Sequence, residues 1–400
     1  MNKILTLGKA NYLLFARLIG ILHYLCNMDE KSRYLQFLNY CLHEDAPVPE
    51  CIKEMDWDKL YLFARDQTVE ATYWRGIERL DQRGVVKLSE TLVLRWMARK
   101  KKIEKKNRSA YKKVAWVWKN FRHEGFRSCV LKGQGNALLY PTTHERTSGD
   151  IDIWVEGGDE KVIAYIDSIL PGRKRSYHHI EFIKTGDFPI EVHYRPSWMS
   201  NPVHNRRLQK WYETHADRCF SHYDDTWGFC SPTYEFNTIY LLSHLYNHLI
   251  REGVGLRHVV DYYYLLDTYP AGEPRPTESD LKSLGMHKIC GGLMWVLHEL
   301  LGLQDSKLLC KPNKRIGELL LGEILAGGNF GKFDERAFGG VSPTPLHHNM
   351  KVMWRDLRML RYFPSECLCE PFYRLWHFIW RWRHRPRVTP SSSTPHSADH

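Results

Sequence analysis

Asp150 and Asp152 stand in the run Gly149-Asp-Ile-Asp-Ile-Trp-Val155, two carboxylates separated by one apolar residue. In an extended strand alternate side chains share a face, so the two acids project together while Ile151 and Ile153 enter a core. Two carboxylates in one small volume repel each other unless a cation lies between them, and hard oxygen ligands suit Mg²⁺ bridged to substrate phosphates. A second alternating run, Ile190-Glu-Val-His193, offers Glu191 from a neighbouring strand and would complete a three-carboxylate site. Upstream lies Val130-Leu-Lys-Gly-Gln-Gly135, a lysine and two glycines directly after a short apolar run.

This motif set, with Leu131-Lys-Gly133, Arg146-Thr-Ser-Gly-Asp-Ile-Asp152 and Glu191 in an apolar-acid-apolar-His strand, resembles the polymerase-β-like nucleotidyltransferase superfamily. Within it, the likeness is to bacterial uncharacterised nucleotidyltransferases that carry Leu-Lys-Gly and Gly-Asp-Ile-Asp. Residues 57–79 resemble that family's N-terminal helices and residues 240–266 its later helical region. The resemblance implies an enzyme that moves a nucleoside monophosphate from a triphosphate such as ATP to a hydroxyl or phosphate acceptor, with Mg²⁺ or Mn²⁺ as cofactor. It implies Asp150 and Asp152 as bridging metal ligands, and Glu191 as the ligand of the acceptor-side metal that favours deprotonation. Lys132 and Arg146 would meet phosphate oxygens, and Gly133 and Gly149 would lie beside the nucleotide. Gly133 lets the backbone approach without a Cβ, and a helix starting there would add free N–H groups. His193, His244 and Arg257 are implied as nucleotide or acceptor contacts. The chain departs from the superfamily at Lys132-Gly133-Gln134, where Gly-Ser or Gly-Gly is usual.

The elements that must position these residues are expected to form an α+β fold, a small mixed sheet flanked by N-terminal and C-terminal helical regions. Residues 1–127 read as helical, 128–200 as the catalytic core, 201–385 as a second helical region and 386–400 as a disordered Ser/Thr/Pro-rich tail. Short β runs fall at 129–131, 151–155, 179–184 and 190–194, with helical spacing at 135–140 and 159–170 and helices on one face of the sheet. The turn Thr185-Gly-Asp-Phe-Pro189 makes the last two strands a hairpin and aligns Glu191 with the sheet that carries Asp150. Residues 92–121 read as one long helix, and 234–250 and 256–267 as two more.

Composition fits a soluble globular protein: 400 residues, 43% hydrophobic and 26% charged. A net charge of +11 favours an anionic partner, whether triphosphate, RNA, an acidic sugar polymer or a membrane surface. The basic run 95–113 is the candidate nucleic-acid contact, and 372–385, rich in Trp and Arg, is read as packing over the N-terminal helices in preference to meeting a membrane surface. The acceptor is therefore open among tRNA, a protein and a small molecule. Ten cysteines at irregular spacing predict reduced thiols and a cytoplasmic location; Cys367 and Cys369 lack a second pair at zinc-site spacing. The apolar run 12–26 carries Arg17 and His23 and reads as an ordinary helix, with Met28 as a candidate initiator. His244 and His248 lie one helical turn apart, with Asp261 in the next helix, but no further ligand has metal-site spacing. Two rivals stand beside the main reading. One is a toxin- or defence-type nucleotidyltransferase that modifies tRNA or protein; the other is a catalytically silent RNA- or membrane-binding module.

Overall fold

A computed structural model describes residues 30–183, 188–334, 336 and 345–385. The apolar run 12–26 with Met28, part of the predicted hairpin turn and the tail 389–400 lie outside the described residues. In chain order, after a helix over residues 30–42, come α1 (Trp57–Asp66), α2 (Glu70–Gln82), α3 (Glu90–His123), β1 (Ser128–Val130), α4 (Gln134–Ala137), β2 (Ile151–Val155) and α5 (Gly158–Ile169). Then follow β3 (His179–Ile183), β4 (Ile190–His193), α6 (Pro202–Ser221), α7 (Tyr234–Arg251), α8 (Leu256–Asp267), α9 (Glu278–Ser283) and α10 (His287–Trp295). The chain continues with α11 (Lys314–Gly327), α12 (Pro345–Met359) and α13 (Pro364–Arg383). Helix starts are chemically marked: Asp56 accepts from the Lys59 N–H, Asn201 caps α6 ahead of Pro202, and the Thr233 side chain accepts from the Phe236 N–H.

Two units are built from interleaved segments. The first comprises residues 1–103, 253–267 and 288–341, the second 104–252, 268–287 and 342–400. The first is helical, with Phe37, Leu60, Tyr73 and Leu80 fully buried and Trp96 stacked on Trp74. In that unit Gln67 ties two helices together, donating to the Ile324 carbonyl and accepting from the Leu256 N–H.

The second unit holds a four-stranded mixed sheet in the order β1-β2-β4-β3. β1 runs antiparallel to β2, β2 parallel to β4, and β4 antiparallel to β3. Ile151, Ile153, Val155, Ile180 and Val192 are fully buried on one face, each worth about 1.5–3 kcal/mol of transfer free energy. On that face Phe182 meets Phe121 of α3, and Phe126 meets Tyr165 of α5. The other face carries the acids, and it also carries Trp154. Its indole packs on Phe220 of α6 and Phe236 of α7, so helices reach this face as well, where the sequence pattern suggested only one helical layer. α4 is one turn rather than the six residues that spacing suggested; Pro141 disfavours helical backbone at Tyr140 and helps to close it early.

α13 docks on the second unit through acid pairs described below and through His377, which accepts from the Tyr177 N–H. Its opposite side leaves Leu368, Leu375, Ile379 and Trp382 exposed. No helix among the described residues is long and apolar enough to cross a membrane.

Candidate active site

Strand register brings the first two chemical groups together. Asp152 sits beside Glu191 across the parallel β2–β4 pair, and His193 lies two residues along from Glu191 on the same face. Across the antiparallel β3–β4 pair, His179 is opposite His193 and Glu181 opposite Glu191. One ligand atom each from Asp152, Glu191 and His193 lie within 4.8 Å of one another. Asp150 precedes β2 and stands at the rim, its side chain 39% exposed where that of Asp152 is fully buried.

Lys132 reaches this face because the chain turns sharply after β1. Gly133 has φ +69°, and a Cβ there would come within 2.9 Å of the Asp150 carbonyl oxygen; a Cβ on Gly135 would come within 2.4 Å of the Val130 carbonyl oxygen. The glycines thus allow two backbone segments to close on each other, and the space beside Gly133 is taken by protein. Gly149 is exposed and has open space around its Cα. The Lys132 ammonium is 3.0 Å from Asp152 Oδ2 and 3.8 Å from Asp150 Oδ2. His193 Nε2 donates to Asp152 Oδ1 at 2.8 Å and lies 3.7 Å from Glu191 Oε2.

Burial opposes every charge in this group, yet mutual compensation outweighs it. Asp150, Asp152 and Glu191 hold Lys132 charged above the usual lysine range. Lys132 and His193 hold Asp152 below the usual carboxylate range. His193, His179 and Lys132 bring Glu191 down to about 2, and Asp152 and Glu191 lift His193 to about 9. Burial and the neighbouring imidazoles keep His178 neutral, well below the usual histidine value.

A divalent cation fits this donor set. Asp152 Oδ2 is buried and meets the lysine as an ion pair without an aligned hydrogen bond, so it retains coordinating capacity. Asp152 and Glu191, with the rim acid Asp150, would supply the oxygens.

Of the other residues singled out from sequence, Arg146 is buried, its guanidinium donating to Ser148 Oγ at 3.3 Å. His244 lies on α7 next to Tyr240, ring centroids 6.1 Å apart, and the buried Tyr240 hydroxyl is held far above its ordinary value by burial and by Asp152. His248 Nε2 is 3.1 Å from His244 Nε2. Arg257 belongs to α8 in the first unit and is nearly buried there.

The structure adds residues that the pattern did not single out. Asn107 of α3 donates from Nδ2 to the carbonyls of His144 and Arg146 and accepts from Gln134 Nε2 on Oδ1, tying together the loop before Asp150 and the turn after Lys132. Its buried position among lysines was readable from the helical stripe Ile103, Ala110 and Val114, which brackets it. His178 and His179 form the third side of the site, His178 Nε2 lying 2.8 Å from His179 Nδ1. A cavity of about 440 Å³ adjoins this edge, walled by Tyr177, Met199, Ser200, Phe372, Tyr373 and Trp376.

The basic run on α3 is partly spent. Arg95, Arg99 and Lys100 pair with Asp58, Glu70 and Glu78 in the first unit. In the second, Lys113 donates to the Phe188 carbonyl and Lys106 lies over the Phe188 ring. Lys101, Lys102 and Lys105 stay exposed.

Among solved structures, the chain is similar to an antigenic nucleotidyltransferase-like protein from Paracoccidioides brasiliensis, at 11% identity, covering 52% of this chain and 96% of that one, with a TM-score of 0.30. A comparison with curated proteins finds no match. The family model of uncharacterised nucleotidyltransferases matches residues 53–302, which include β1 to β4 and every acid described above. The chain therefore belongs to the uncharacterised nucleotidyltransferase family, enzymes that take a nucleoside triphosphate and transfer its nucleoside monophosphate.

Proposed function

We propose that this enzyme performs Mg²⁺-dependent nucleotidyl transfer with Asp150, Asp152 and Glu191 as the cation ligands. The observation that supports this most is the adjacency of Asp152 and Glu191 across parallel strands, with Lys132 and His193 supplying the counter-charge. In the reaction an acceptor oxygen forms a bond to the α-phosphorus as the bond to the bridging oxygen breaks, a hydroxyl acceptor releases its proton to water, and pyrophosphate leaves with its electron pair. A bound divalent cation would stabilise charge on the attacking and leaving oxygens. Glu191, with its value near 2, stays ionised throughout the working range and serves as a ligand better than as a proton store. With a cation bound between the acids, Lys132 would turn from its aspartate partners to a phosphate oxygen, and Arg146 and Gly149 would stand on the nucleotide side, while Gly133 would act through the turn that places Lys132.

The aromatic cavity favours an acceptor with an apolar or aromatic portion, since its Tyr177 wall runs directly into His178 and His179. Incubation of the purified protein with each α-labelled triphosphate, Mg²⁺ and fractionated cell extract tests the proposal. A labelled small-molecule product that depends on Mg²⁺ is the expected result. Labelled RNA or protein would move the acceptor to the macromolecular class, and absence of label from every fraction would remove the transfer reading.

A further inference from the structure

We infer that His178, His179 and His193, together with Glu191, form a binding site for a zinc-class divalent cation alongside the aspartates. The β3–β4 register sets His179 directly opposite His193 and puts Glu191 on the same face, and His178 follows from the residue before the strand. His179 Nδ1 lies 3.5 Å from Glu191 Oε2, His193 Nε2 lies 3.7 Å from the same oxygen, and His178 Nε2 lies 2.8 Å from His179 Nδ1. A tetrahedral ion with bonds of about 2.0–2.1 Å needs ligand atoms about 3.3–3.4 Å apart, so these edges require adjustments of about 0.1 to 0.6 Å, the largest an opening of the His178–His179 edge. One ligand atom from each of the three imidazoles lie within 4.8 Å of one another.

The supporting shell is in place. Ser176 Oγ is 3.1 Å from His178 Nδ1, and the Trp198 ring stacks on the His178 ring with centroids 3.9 Å apart, which fixes the direction of Nε2. Because His178 Nε2 and His179 Nδ1 are hydrogen-bond neighbours, one of the two must present a lone pair. The set is dominated by imidazole nitrogen, which suits zinc and its transition-metal neighbours; Mg²⁺ favours octahedral oxygen. Three carboxylates against the Lys132 ammonium and the His193 imidazolium leave one net negative charge, which a divalent cation that displaces the His193 Nε2 proton neutralises. The side chains of His179 and Glu191 are 21% and 29% exposed, which leaves an approach from solvent.

The site shares Glu191 with the proposed magnesium site but binds without nucleotide, so the two readings fail separately. Metal-free full-length protein is titrated with ZnCl₂ against a chromogenic chelator, and the zinc-loaded protein is measured by X-ray absorption. We expect one zinc per chain with nitrogen and oxygen ligands near ~2.0–2.1 Å. Affinity should fall by at least about tenfold in His179→Ala and in His178→Gln, with circular dichroism unchanged. Asp150→Asn should retain the affinity even as it loses transfer. Equal affinity in wild type and both histidine variants would overturn the inference, as would sulfur ligands at ~2.3 Å or a purely oxygen shell.

Discussion

Two clusters of buried carboxylates lie in the second unit, and their surroundings treat them differently. At the sheet, Asp152 and Glu191 are each matched by a cation and titrate below the usual range. At the base of α13, Glu370 is clamped by Arg251 through both carboxylate oxygens and by Ser200 Oγ. Glu366 accepts from the Ser200 and Asn201 N–H groups and from His204. Their neighbour Asp356 is buried too, yet neither of its oxygens has a hydrogen-bond partner among the described residues. Burial and the charge of Glu370 push it up to about 7, against the weaker pull of Arg374 and Arg251. Depth alone therefore does not set the state of an acid here; the number and aim of the cations around it do. Asp152 is held ionised, and Asp356 is held close to neutrality.

The largest expected effect lies in the compensated cluster. Asp152→Asn keeps shape and removes charge, and transfer should fall by roughly a thousandfold or more, about 4 kcal/mol of transition-state stabilisation. Asp150→Asn should cost comparable activity while shifting the unfolding midpoint little, because its side chain is already partly in water. Steady-state kinetics and thermal melts on both variants check this; near-normal turnover in either removes that residue from the cation site.

Next comes the counter-ion. Lys132→Ala leaves Asp152 buried and short of a cation, and loss of one partner from a buried pair costs about 3–5 kcal/mol of stability. Adding Asp152→Asn should return part of that loss. A double-mutant cycle by urea unfolding reads the coupling, and strictly additive losses would show that the 3.0 Å contact carries no stability.

The uncompensated acid gives the third test, with opposite sign. Asp356 has a folded value near 7 against an ordinary value of about 4. Between those values the unfolded chain gives up its proton while the folded chain keeps it, so stability falls as pH rises through this window and levels off above about 7. The component is about 2–4 kcal/mol, and Asp356→Asn should abolish it. Unfolding free energies measured from pH 4 to pH 8 for wild type and variant would differ by a constant if the carboxyl were titrating normally.

The smallest effect belongs to exposed charge. Replacement of Lys101, Lys102 and Lys105 by Gln should change stability by no more than about 0.5 kcal/mol. If the acceptor is a polyanion, the same triple variant flattens the salt dependence of acceptor binding, since fewer counterions are released.

The sheet was largely legible from sequence, for a simple reason. Strand periodicity is two, so the runs at Ile151 and Ile190 could be assigned faces without knowing what they paired with. The mixed sheet and its helical flanks followed from the same alternation and from helical spacing. Lys132 was harder to read. Its residue type suggested a phosphate contact, but its position depends on the left-handed turn at Gly133 that swings it onto the aspartates, and a contact with a strand twenty residues away leaves no local trace. His178 and His179 were passed over because only the register of β3 on β4 turns His179 toward His193, and that register shifts between Glu181 and Ile183. The extra helical cover over Trp154 is likewise a tertiary choice made by Phe220 and Phe236.

Asn107 limits which residues the chain can accept at that place. A carboxamide offers two N–H donors and a carbonyl acceptor, and this one spends them on three partners in two different stretches of chain. Aspartate would point oxygens at two carbonyls, leucine would leave three partners unsatisfied in the interior, and serine lacks the reach. The substitution spectrum at this position should therefore be among the narrowest on α3, although the exposed Lys101, Lys102 and Lys105 near it can be exchanged.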